Sequence, residues 1–263
     1  MLLQDKVVLV TGSVTGIGEA IARAAAREGA HVMVHGPEAG EAERVAASIE
    51  GDAHSVGADL LDEDAPERIV AATVERFGRI DGLVNNAAMT TRSNLDTTDP
   101  ALFDRLMRVN TRAPLFLTKA ALPWFRKQGG GVVLNIGSVN AYCGEPNLLV
   151  YSITKGALMT MTRNLADALA TEHIRVNQLN VGWTLTENER KVKEQEGMGA
   201  DWESRLPKLF APAGRIFRPH EIAAHAVFWL SDAGGPVTGT VYEIEQHPFI
   251  GRNPDKVQFA RAE

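Results

Sequence analysis

Short runs of β-branched residues alternate with longer amphipathic stretches, and this alternation constrains the fold more than any other feature of the sequence. The apolar runs predict strands at 6–11, 31–35, 53–59, 80–85, 131–137, 174–180 and 240–245. Helical periodicity fills the intervals, up to about residue 28 and at 38–49, 62–77, about 100–127, 150–173 and 219–230. Strands that alternate with helices pair in parallel. We therefore predict an α/β fold, a doubly wound parallel sheet of about seven strands with helices on both faces.

Composition bounds the size and the class of the protein. The 263 residues are 44% hydrophobic and 23% charged, with no linker or composition shift, so we expect a single domain over 1–263. The net charge is -6 and no basic run is present, so the sequence shows no basic surface that would bind nucleic acid or an anionic membrane. Cys143 is the only cysteine, and no signal peptide or membrane-length apolar run is present. We expect a cytoplasmic protein.

Polar and glycine residues fall at the predicted carboxyl ends of the strands. They are Gly12, Asp59, Asn86, Ser138 and Gly182. In an open parallel sheet the carboxyl ends of the strands meet at one edge, where ligands bind. Residues far apart in sequence are therefore expected to converge on one site.

The segment TGSVTGIG at 11–18 joins the first predicted strand to a helix. A strand, a glycine-rich turn and a helix N-terminus together form a cradle of exposed N–H groups for phosphate. The glycines alone would also fit a tight turn that needs close packing. The strand before the turn and the helix after it favour a nucleotide site.

Tyr151 and Lys155 lie four residues apart on a predicted helix and share one face. An ammonium about 4 Å from the phenol, at an effective dielectric near 20, would favour the phenolate by roughly 4 kcal/mol, or about three pKa units. A phenol tuned in this way can exchange protons with an alcohol or a carbonyl. The spacing by itself is equally typical of an exposed helix surface.

The ordered set of motifs resembles the short-chain dehydrogenase/reductase family, in its short single-domain branch. The matching elements are TGSVTGIG at 11–18, Asp59, NNAA at 85–88, Asn110, Ser138, YSITK at 151–155, and Asn180-Val181-Gly182 with Thr186. The resemblance covers nearly the whole chain. It implies a Rossmann-type fold and an NAD(P)-dependent oxidoreductase that interconverts a secondary alcohol and a ketone by hydride transfer.

The resemblance implies four catalytic residues. Tyr151 would be the general acid/base, and Lys155 would lower its pKa and hydrogen-bond the nicotinamide ribose. Ser138 would donate a hydrogen bond to the substrate oxygen, and Asn110 would hold a water that links Lys155 to solvent. Taken singly, Ser138 could be a capping serine and Asn110 a helix-surface amide. The four together favour the catalytic reading.

A nicotinamide cofactor and its contacts are also implied by the resemblance, and no metal is expected. The residues implied for the cofactor are Gly12, Ser13, Gly16, Ile17, Gly18, Asp59, Leu60, Asn86, Ala87, Tyr151, Lys155, Gly182, Thr184 and Thr186. An acidic residue at the end of the second strand would indicate NAD, and an arginine there or in the glycine turn would indicate NADP. The segment HGPE at 35–38 has neither marker at the end of the strand. Because no fixed cation is present and Glu38 lies close by, we predict NAD rather than NADP.

The segment at about 183–215 resembles the substrate lid of the family. Ser138, Asn140, Glu145 and Trp183 are candidate substrate contacts, and their polarity favours a sugar, a polyol or a hydroxy acid. A 3-oxoacyl thioester reductase is the alternative within the family, and a non-catalytic nucleotide-sensing protein is the alternative outside it. The family also implies a homotetramer. Ala88 in place of a glycine, Val181 in place of a proline and the tail after residue 248 depart from its pattern.

Overall fold

A seven-stranded parallel sheet forms the centre of the computed structural model, which describes residues 1–199, 201–248 and 250. The strand order is β3-β2-β1-β4-β5-β6-β7. The strands are β1 Val7–Val10, β2 His31–Gly36, β3 Ala53–Gly57, β4 Gly82–Asn85, β5 Gly131–Ser138, β6 Ile174–Val181 and β7 Val241–Ile244. The order reverses between β1 and β4, which opens a crevice at their carboxyl ends. The predicted doubly wound sheet is confirmed.

Helices cover both faces of the sheet. They are α1 Gly16–Arg27, α2 Ala39–Ala47, α3 Ala65–Phe77, α4 Pro100–Met107, α5 Ala113–Gln128, α6 Leu149–Leu169, α7 Glu187–Gln195 and α8 Pro219–Leu230. Side chains of a strand alternate between the two layers. Val8 and Val10 pack in the layer of α1 and α8, and Leu9 packs in the layer of α3 and α5. Within the described residues, no helix combines the length and the apolar character needed to cross a membrane.

The predicted helix at 100–127 is not one continuous α-helix. A π-helical turn, Arg108–Arg112, separates α4 from α5 and contains the buried Asn110. Pro114 lies in the first turn of α5, where its missing N–H is tolerated. π-Helical turns are frequent at functional sites, because the wider turn changes the direction of the side chains it carries.

Val181 extends the sixth strand further than the sequence predicted. It pairs with Ser138 on β5 and with Ile244 on β7. The next residue continues the ladder, since the N–H of Gly182 donates to the carbonyl oxygen of Ile244 at 2.9 Å. The family's proline has no N–H. Val181 is therefore a paired residue of β6 at the position where the resembled family has a proline.

Candidate active site

A cavity of about 930 Å³ opens at the carboxyl edge of the sheet. Most of the residues predicted for the site line it. They are Gly12, Gly16, Ile17, Asp59, Leu60, Asn86, Ala87, Ser138, Asn140, Glu145, Tyr151, Lys155, Gly182, Trp183, Thr184 and Thr186. Segments that are distant in sequence therefore converge on one site, as the strand-end argument predicted.

The glycine turn brings main chain, without side chains, to one end of this cavity. Gly12 and Gly16 have φ angles of +60° and +61°, in the left-handed region that favours glycine. A Cβ on Gly12 would lie 2.8 Å from Cα of Ala87, and one on Gly16 would lie 3.2 Å from Cγ2 of Thr186. The turn therefore packs closely against the end of β4 and the start of α7, and at Gly12 and Gly16 it lines the cavity with main chain alone.

Ser13, Gly18 and Asn110 do not line the cavity. Ser13 is fully buried, and its hydroxyl donates to the carbonyl oxygen of Val10 at 2.7 Å. A Cβ on Gly18 would collide with the carbonyl oxygen of Gly12. Ser13 and Gly18 hold the frame of the turn from behind, so the motif contains structural positions as well as exposed ones.

Asn86 also supports the turn, although it lines the cavity. Its side-chain amide donates to the carbonyl oxygens of Thr11 and Gly12, at 2.9 and 3.0 Å. Its main-chain N–H donates to Oγ1 of Thr11 at 3.0 Å. The end of β4 is thereby fixed to the end of β1.

Ser138, Tyr151 and Lys155 meet at the middle of the cavity. Ser138 ends β5, and its Oγ accepts the N–H of Asn140 at 3.1 Å. Tyr151 and Lys155 lie in the first two turns of α6. The Nζ of Lys155 donates to the carbonyl oxygen of Ile136 at 2.7 Å, and it lies 5.6 Å from the centroid of the Tyr151 ring.

The predicted effect of Lys155 on Tyr151 is absent from this arrangement. Burial raises the pKa of Tyr151 to about 12, and a hydrogen bond with the hydroxyl of Ser138 and the charge of Arg92 oppose the rise only in part. Burial also lowers the pKa of Lys155 to about 8. The ammonium is directed at the carbonyl of Ile136 rather than at the phenol, so the expected lowering by three pKa units was wrong for this state of the site.

Asn110 is held inside the fold by three side-chain hydrogen bonds. Its Oδ1 accepts the N–H of Met89 at 2.8 Å, and its Nδ2 donates to the carbonyl oxygen of Met89 at 2.9 Å. The same Nδ2 donates to Oγ1 of Thr154 at 3.0 Å. Asn110 therefore fixes the segment after β4 to α6, immediately beside Lys155. Its role in a water relay stays a prediction.

Comparison with known proteins gives the family. Residues 12–246 match the family model described as enoyl-(acyl carrier protein) reductase. The dehydrogenase/reductase SDR family member 4 of Sus scrofa is 35% identical over 246 residues, which cover 90% of this chain and 85% of that protein. The chain belongs to the short-chain dehydrogenase/reductase family. It is an oxidoreductase of that family.

Solved structures of short-chain dehydrogenases share the fold at similar identity. The 3-ketoacyl-(acyl-carrier-protein) reductase from Brucella melitensis, complexed with NADH, has a TM-score of 0.81 and 32% identity over 92% of this chain and 97% of that chain. A protein from Beutenbergia cavernae, provisionally assigned as an NAD(P)-dependent gluconate 5-dehydrogenase with bound NADP at low occupancy, has a TM-score of 0.83 and 31% identity over 92% of this chain and 96% of that chain.

The segment after β6 forms one wall of the cavity in this short-chain dehydrogenase. The indole of Trp183 stacks on that of Trp202 at 5.2 Å, beside a small apolar cluster of Leu185, Ala211 and Ile216. The Trp183 Nε1 donates to Glu189 of α7 at 2.8 Å. The sequence did not predict α7, because its residues are strongly polar and show only a short helical period.

The sequence argument passed over five charged residues that line the cavity, namely Arg92, Arg105, Glu189, Lys193 and Glu245. Nε of Arg92 donates to Glu196 at 2.8 Å, and Nζ of Lys193 donates to the same carboxylate at 2.7 Å. Arg92 follows soon after NNAA at 85–88, and this position was the sequence signal that could have placed Arg92 in the site. Among the described residues, no group of three or more His, Cys, Asp or Glu side chains is arranged to hold a metal ion.

Proposed function

We propose that this short-chain dehydrogenase interconverts a secondary alcohol and a ketone with NAD(P), on a small polar substrate. The observation that carries the proposal is the meeting of Ser138, Tyr151 and Lys155 in one cavity with a glycine turn that exposes main chain. The first three residues suit proton transfer at an oxygen, and the turn suits a dinucleotide. The cofactor supplies or accepts the hydride when it is bound.

The catalytic roles follow from the positions of the side chains. Tyr151 gives or takes the hydroxyl proton of the substrate, and Ser138 donates a hydrogen bond to the same substrate oxygen, where charge develops. Lys155, largely protonated below its pKa of about 8, places a positive charge 5.6 Å from the centre of the Tyr151 ring, while its hydrogen bond goes to the carbonyl of Ile136. Asn110 keeps the segment after β4 in place beside α6.

The cradle fits a nicotinamide dinucleotide, because side chains are missing where the phosphates would approach Gly12 and Gly16. We propose that the turn and the N-terminus of α1 hold the pyrophosphate and that Asp59 and Leu60 contact the adenine. Ala87 is proposed for the adenosine ribose, and Gly182, Thr184 and Thr186 for the nicotinamide end.

NAD is the proposed cofactor in preference to NADP. Residues around the end of β2 that line the cavity are His35, Pro37 and Asp59, which bring no positive charge toward a 2′-phosphate. Both ring nitrogens of His35 are already hydrogen-bonded within the protein. A tenfold preference for NADP in kcat/KM would contradict this assignment.

The substrate end favours a sugar, a polyol or a hydroxy acid. Asn140, Glu145, Asn188 and Arg92 line this end of the cavity together with Trp183. Hydroxyl groups of a substrate can pair with such amides and charges, whereas a large apolar substrate would leave them unpaired. We propose that the segment at about 183–215 acts as the lid over this substrate, within one domain that spans 1–263.

Reduction of a 3-oxoacyl thioester is the second candidate. It is favoured by the description of the matching family model and by the 3-ketoacyl-(acyl-carrier-protein) reductase among the similar structures. A carrier protein needs a basic surface near the cleft, and the lid at 183–215 has no excess of positive charge, because six acidic residues balance six basic ones. The lack of a basic lid therefore favours the small polar substrate.

A substrate panel followed through absorbance of the reduced nicotinamide tests the proposal. The panel contains polyols, sugars, hydroxy acids and their ketones, with 3-oxoacyl thioesters as the competing class, each measured with NAD(H) and with NADP(H). Turnover of a small polar alcohol or ketone by the wild type, lost in Tyr151→Phe, supports the proposal. Full turnover by Tyr151→Phe would disprove the catalytic assignment.

A cytoplasmic homotetramer is the proposed state of the protein. The apolar faces of the long helices α4, α5 and α6 are used within the chain, since Leu106, Leu117 and Leu158 are buried there. Exposed apolar side chains remain on α8 and β7, where Phe228 is 44% and Tyr242 is 40% exposed. Sedimentation of the wild type and of a Phe228→Glu variant tests this assignment, since a buried charge would weaken the assembly.

A further inference from the structure

His35 is buried beneath the glycine turn, and the proposed reaction does not use it. It lies next to the end of β2, with only 1% of its surface exposed. Its Nδ1 lies 3.1 Å from the main-chain nitrogen of Gly12, and its Nε2 lies 2.9 Å from the carbonyl oxygen of Ala58. The ring therefore connects the turn after β1 with the segment after β3.

These two partners fix the protonation of the imidazole. The N–H of Gly12 can only donate, so Nδ1 must be an unprotonated acceptor. The carbonyl oxygen of Ala58 can only accept, so Nε2 must carry the hydrogen. A doubly protonated ring would direct N–H against N–H at Gly12. The neutral ring is the form that holds the turn.

The main chain of His35 strengthens the same connection. Its N–H donates to Oγ of Ser13 at 3.0 Å, and its carbonyl oxygen accepts the N–H of Ser13 at 2.8 Å. Gly12 and Ser13 are thus bound to one residue by three hydrogen bonds. Since glycine has unusual backbone freedom, these bonds restrict a turn that the sequence alone would leave adaptable.

Few charges face this ring. Burial lowers the pKa of His35, and the hydrogen bond to Ala58 and the charge of Asp59 oppose that change. The turn presents Gly12 and Ser13 to the ring, and neither titrates in the range of a histidine. Protonation of His35 therefore needs a pH below the ordinary histidine value of 6.5.

We propose that His35 is a positioning residue for the cofactor, whose neutral imidazole sets the separation between the glycine turn and the edge at Ala58, Asp59 and Leu60. Protonation of the ring breaks the hydrogen bond to Gly12 and weakens cofactor binding. This inference rests on the proposed function, because the turn and this edge are the proposed pyrophosphate and adenine contacts.

Two variants separate the two ring contacts. In His35→Asn the short side chain places an amide oxygen near the position of Nδ1, so the acceptor for Gly12 is retained. In His35→Gln the longer side chain reaches toward Ala58 and withdraws that acceptor. At pH 7.5 we expect the NADH Kd, from fluorescence titration, to rise about tenfold in His35→Gln and less than about threefold in His35→Asn, since an unpaired buried N–H costs on the order of 1–3 kcal/mol. Equal Kd values for the two variants would overturn the inference.

The pH dependence of the NADH Kd distinguishes a positioning role from a purely structural one, because a purely structural role predicts no change in the Kd as the ring is protonated. The NADH Kd of the wild type should rise as the pH falls below 6.5, over the range in which circular dichroism shows the folded protein. In His35→Asn this rise should be absent. Parallel pH profiles of the two proteins would overturn the inference.

The wild type alone also provides a test, should both variants fail to fold. Long-range nitrogen–proton NMR spectra of the imidazoles should show one ring with a protonated Nε2 and an unprotonated Nδ1 at neutral pH, assigned to His35 by its slow solvent exchange. A protonated Nδ1 in that ring would overturn the inference. Failure of the wild type to bind any nicotinamide cofactor would instead overturn the proposed function, and the inference with it.

Discussion

The two ends of the cavity are built by different means. At the glycine turn, main-chain groups of Gly12 are held by the buried His35 and by Asn86. At the lid, one attachment to the body is the ion pair of Arg92 with Glu196, whose side chains are 28% and 29% exposed. The proposed cofactor end is thus fixed from inside the fold, and one attachment of the proposed lid lies at the surface.

This difference separates the two tasks of such a site. Buried hydrogen bonds are costly to break, so the cradle keeps one shape. Partly exposed ion pairs contribute on the order of 1 kcal/mol or less, so the lid can open without unfolding the domain. We expect substitutions at the two ends to affect different measured constants, and the predictions below run from the largest expected effect to the smallest.

Tyr151→Phe should have the largest effect, because Tyr151 lies where the two ends meet. Removal of a positioned acid/base lowers kcat by about 10²–10⁴-fold. The NADH Kd should change little, since the ring itself is retained. Stopped-flow or steady-state absorbance measures kcat, and Tyr242→Phe, on an exposed strand face, is the matched control.

Gly12→Ala should come next and should act on cofactor binding. The added Cβ would lie 2.8 Å from Cα of Ala87, and overpacking of this kind costs about 1–3 kcal/mol. The NADH Kd should then rise roughly tenfold to a hundredfold.

Gly78→Ala is the control for backbone strain. Gly78 has a φ of +76°, but no atom lies within 4 Å of the position of its Cβ. Both alanine variants should lower the free energy of urea unfolding through the positive φ, and only Gly12→Ala should weaken NADH binding. Equal binding by the two variants would contradict the crowded cradle.

Arg92→Leu should act on the opposite end of the cavity. Loss of the pair with Glu196 removes one attachment of the lid and one cation beside the substrate. We expect the substrate KM to rise about threefold to tenfold at low salt, with less change at high salt because ions screen the pair.

Arg68→Leu provides the matched control for Arg92→Leu, since Arg68 pairs with Asp62 and Asp64 on the surface of α3. Its substrate KM should equal that of the wild type. A rise in the NADH Kd of Arg92→Leu, without a rise in substrate KM, would remove the distinction between the two ends.

Glu221→Gln should have the smallest effect, on stability alone. Hydrogen bonds from Arg215 and from the main-chain N–H of Arg218 lower the pKa of Glu221 to about 2. A carboxylate with a lowered folded pKa stabilises the fold above its unfolded pKa, and this contribution is lost as the pH falls toward 2. Glu221→Gln should therefore lower Tm by a few degrees at pH 7, and the difference should shrink between pH 4.5 and 3. An equal difference in Tm at pH 7 and at pH 3 would contradict this account.

The sequence predicted the strand, glycine turn and helix at one end of the cavity well, because that end depends on local patterns. Strand, glycine turn and helix follow one another within about twenty residues, so their geometry is fixed by backbone preferences. The convergence of Ser138, Tyr151 and Lys155 followed from the parallel sheet, which brings the carboxyl ends of its strands together. Helix and strand positions agreed to within a few residues.

Other features depend on contacts between distant segments, and the sequence did not predict them. The orientation of Ser13 away from the cavity requires the neighbouring β2 strand, and the pair of Arg92 with Glu196 requires the lid. The direction of the Lys155 ammonium toward Ile136 depends on burial, which the spacing of Tyr151 and Lys155 does not reveal. The pattern of strand ends therefore located the site, but not the hydrogen bonds inside it.

The π-helical turn at Arg108–Arg112 makes the length of the chain itself a constraint on the site. A turn of this kind holds one residue more than an α-helical turn, and deletion of that residue would restore a regular helix. Because the wide turn absorbs the extra residue, α4 and α5 would keep their buried faces, with Leu117 and Phe125 toward the sheet. The side chains inside the turn would shift, however, and Asn110 would leave Met89. Deletion of one residue from this turn should therefore disturb the site while it leaves the rest of the fold nearly unchanged.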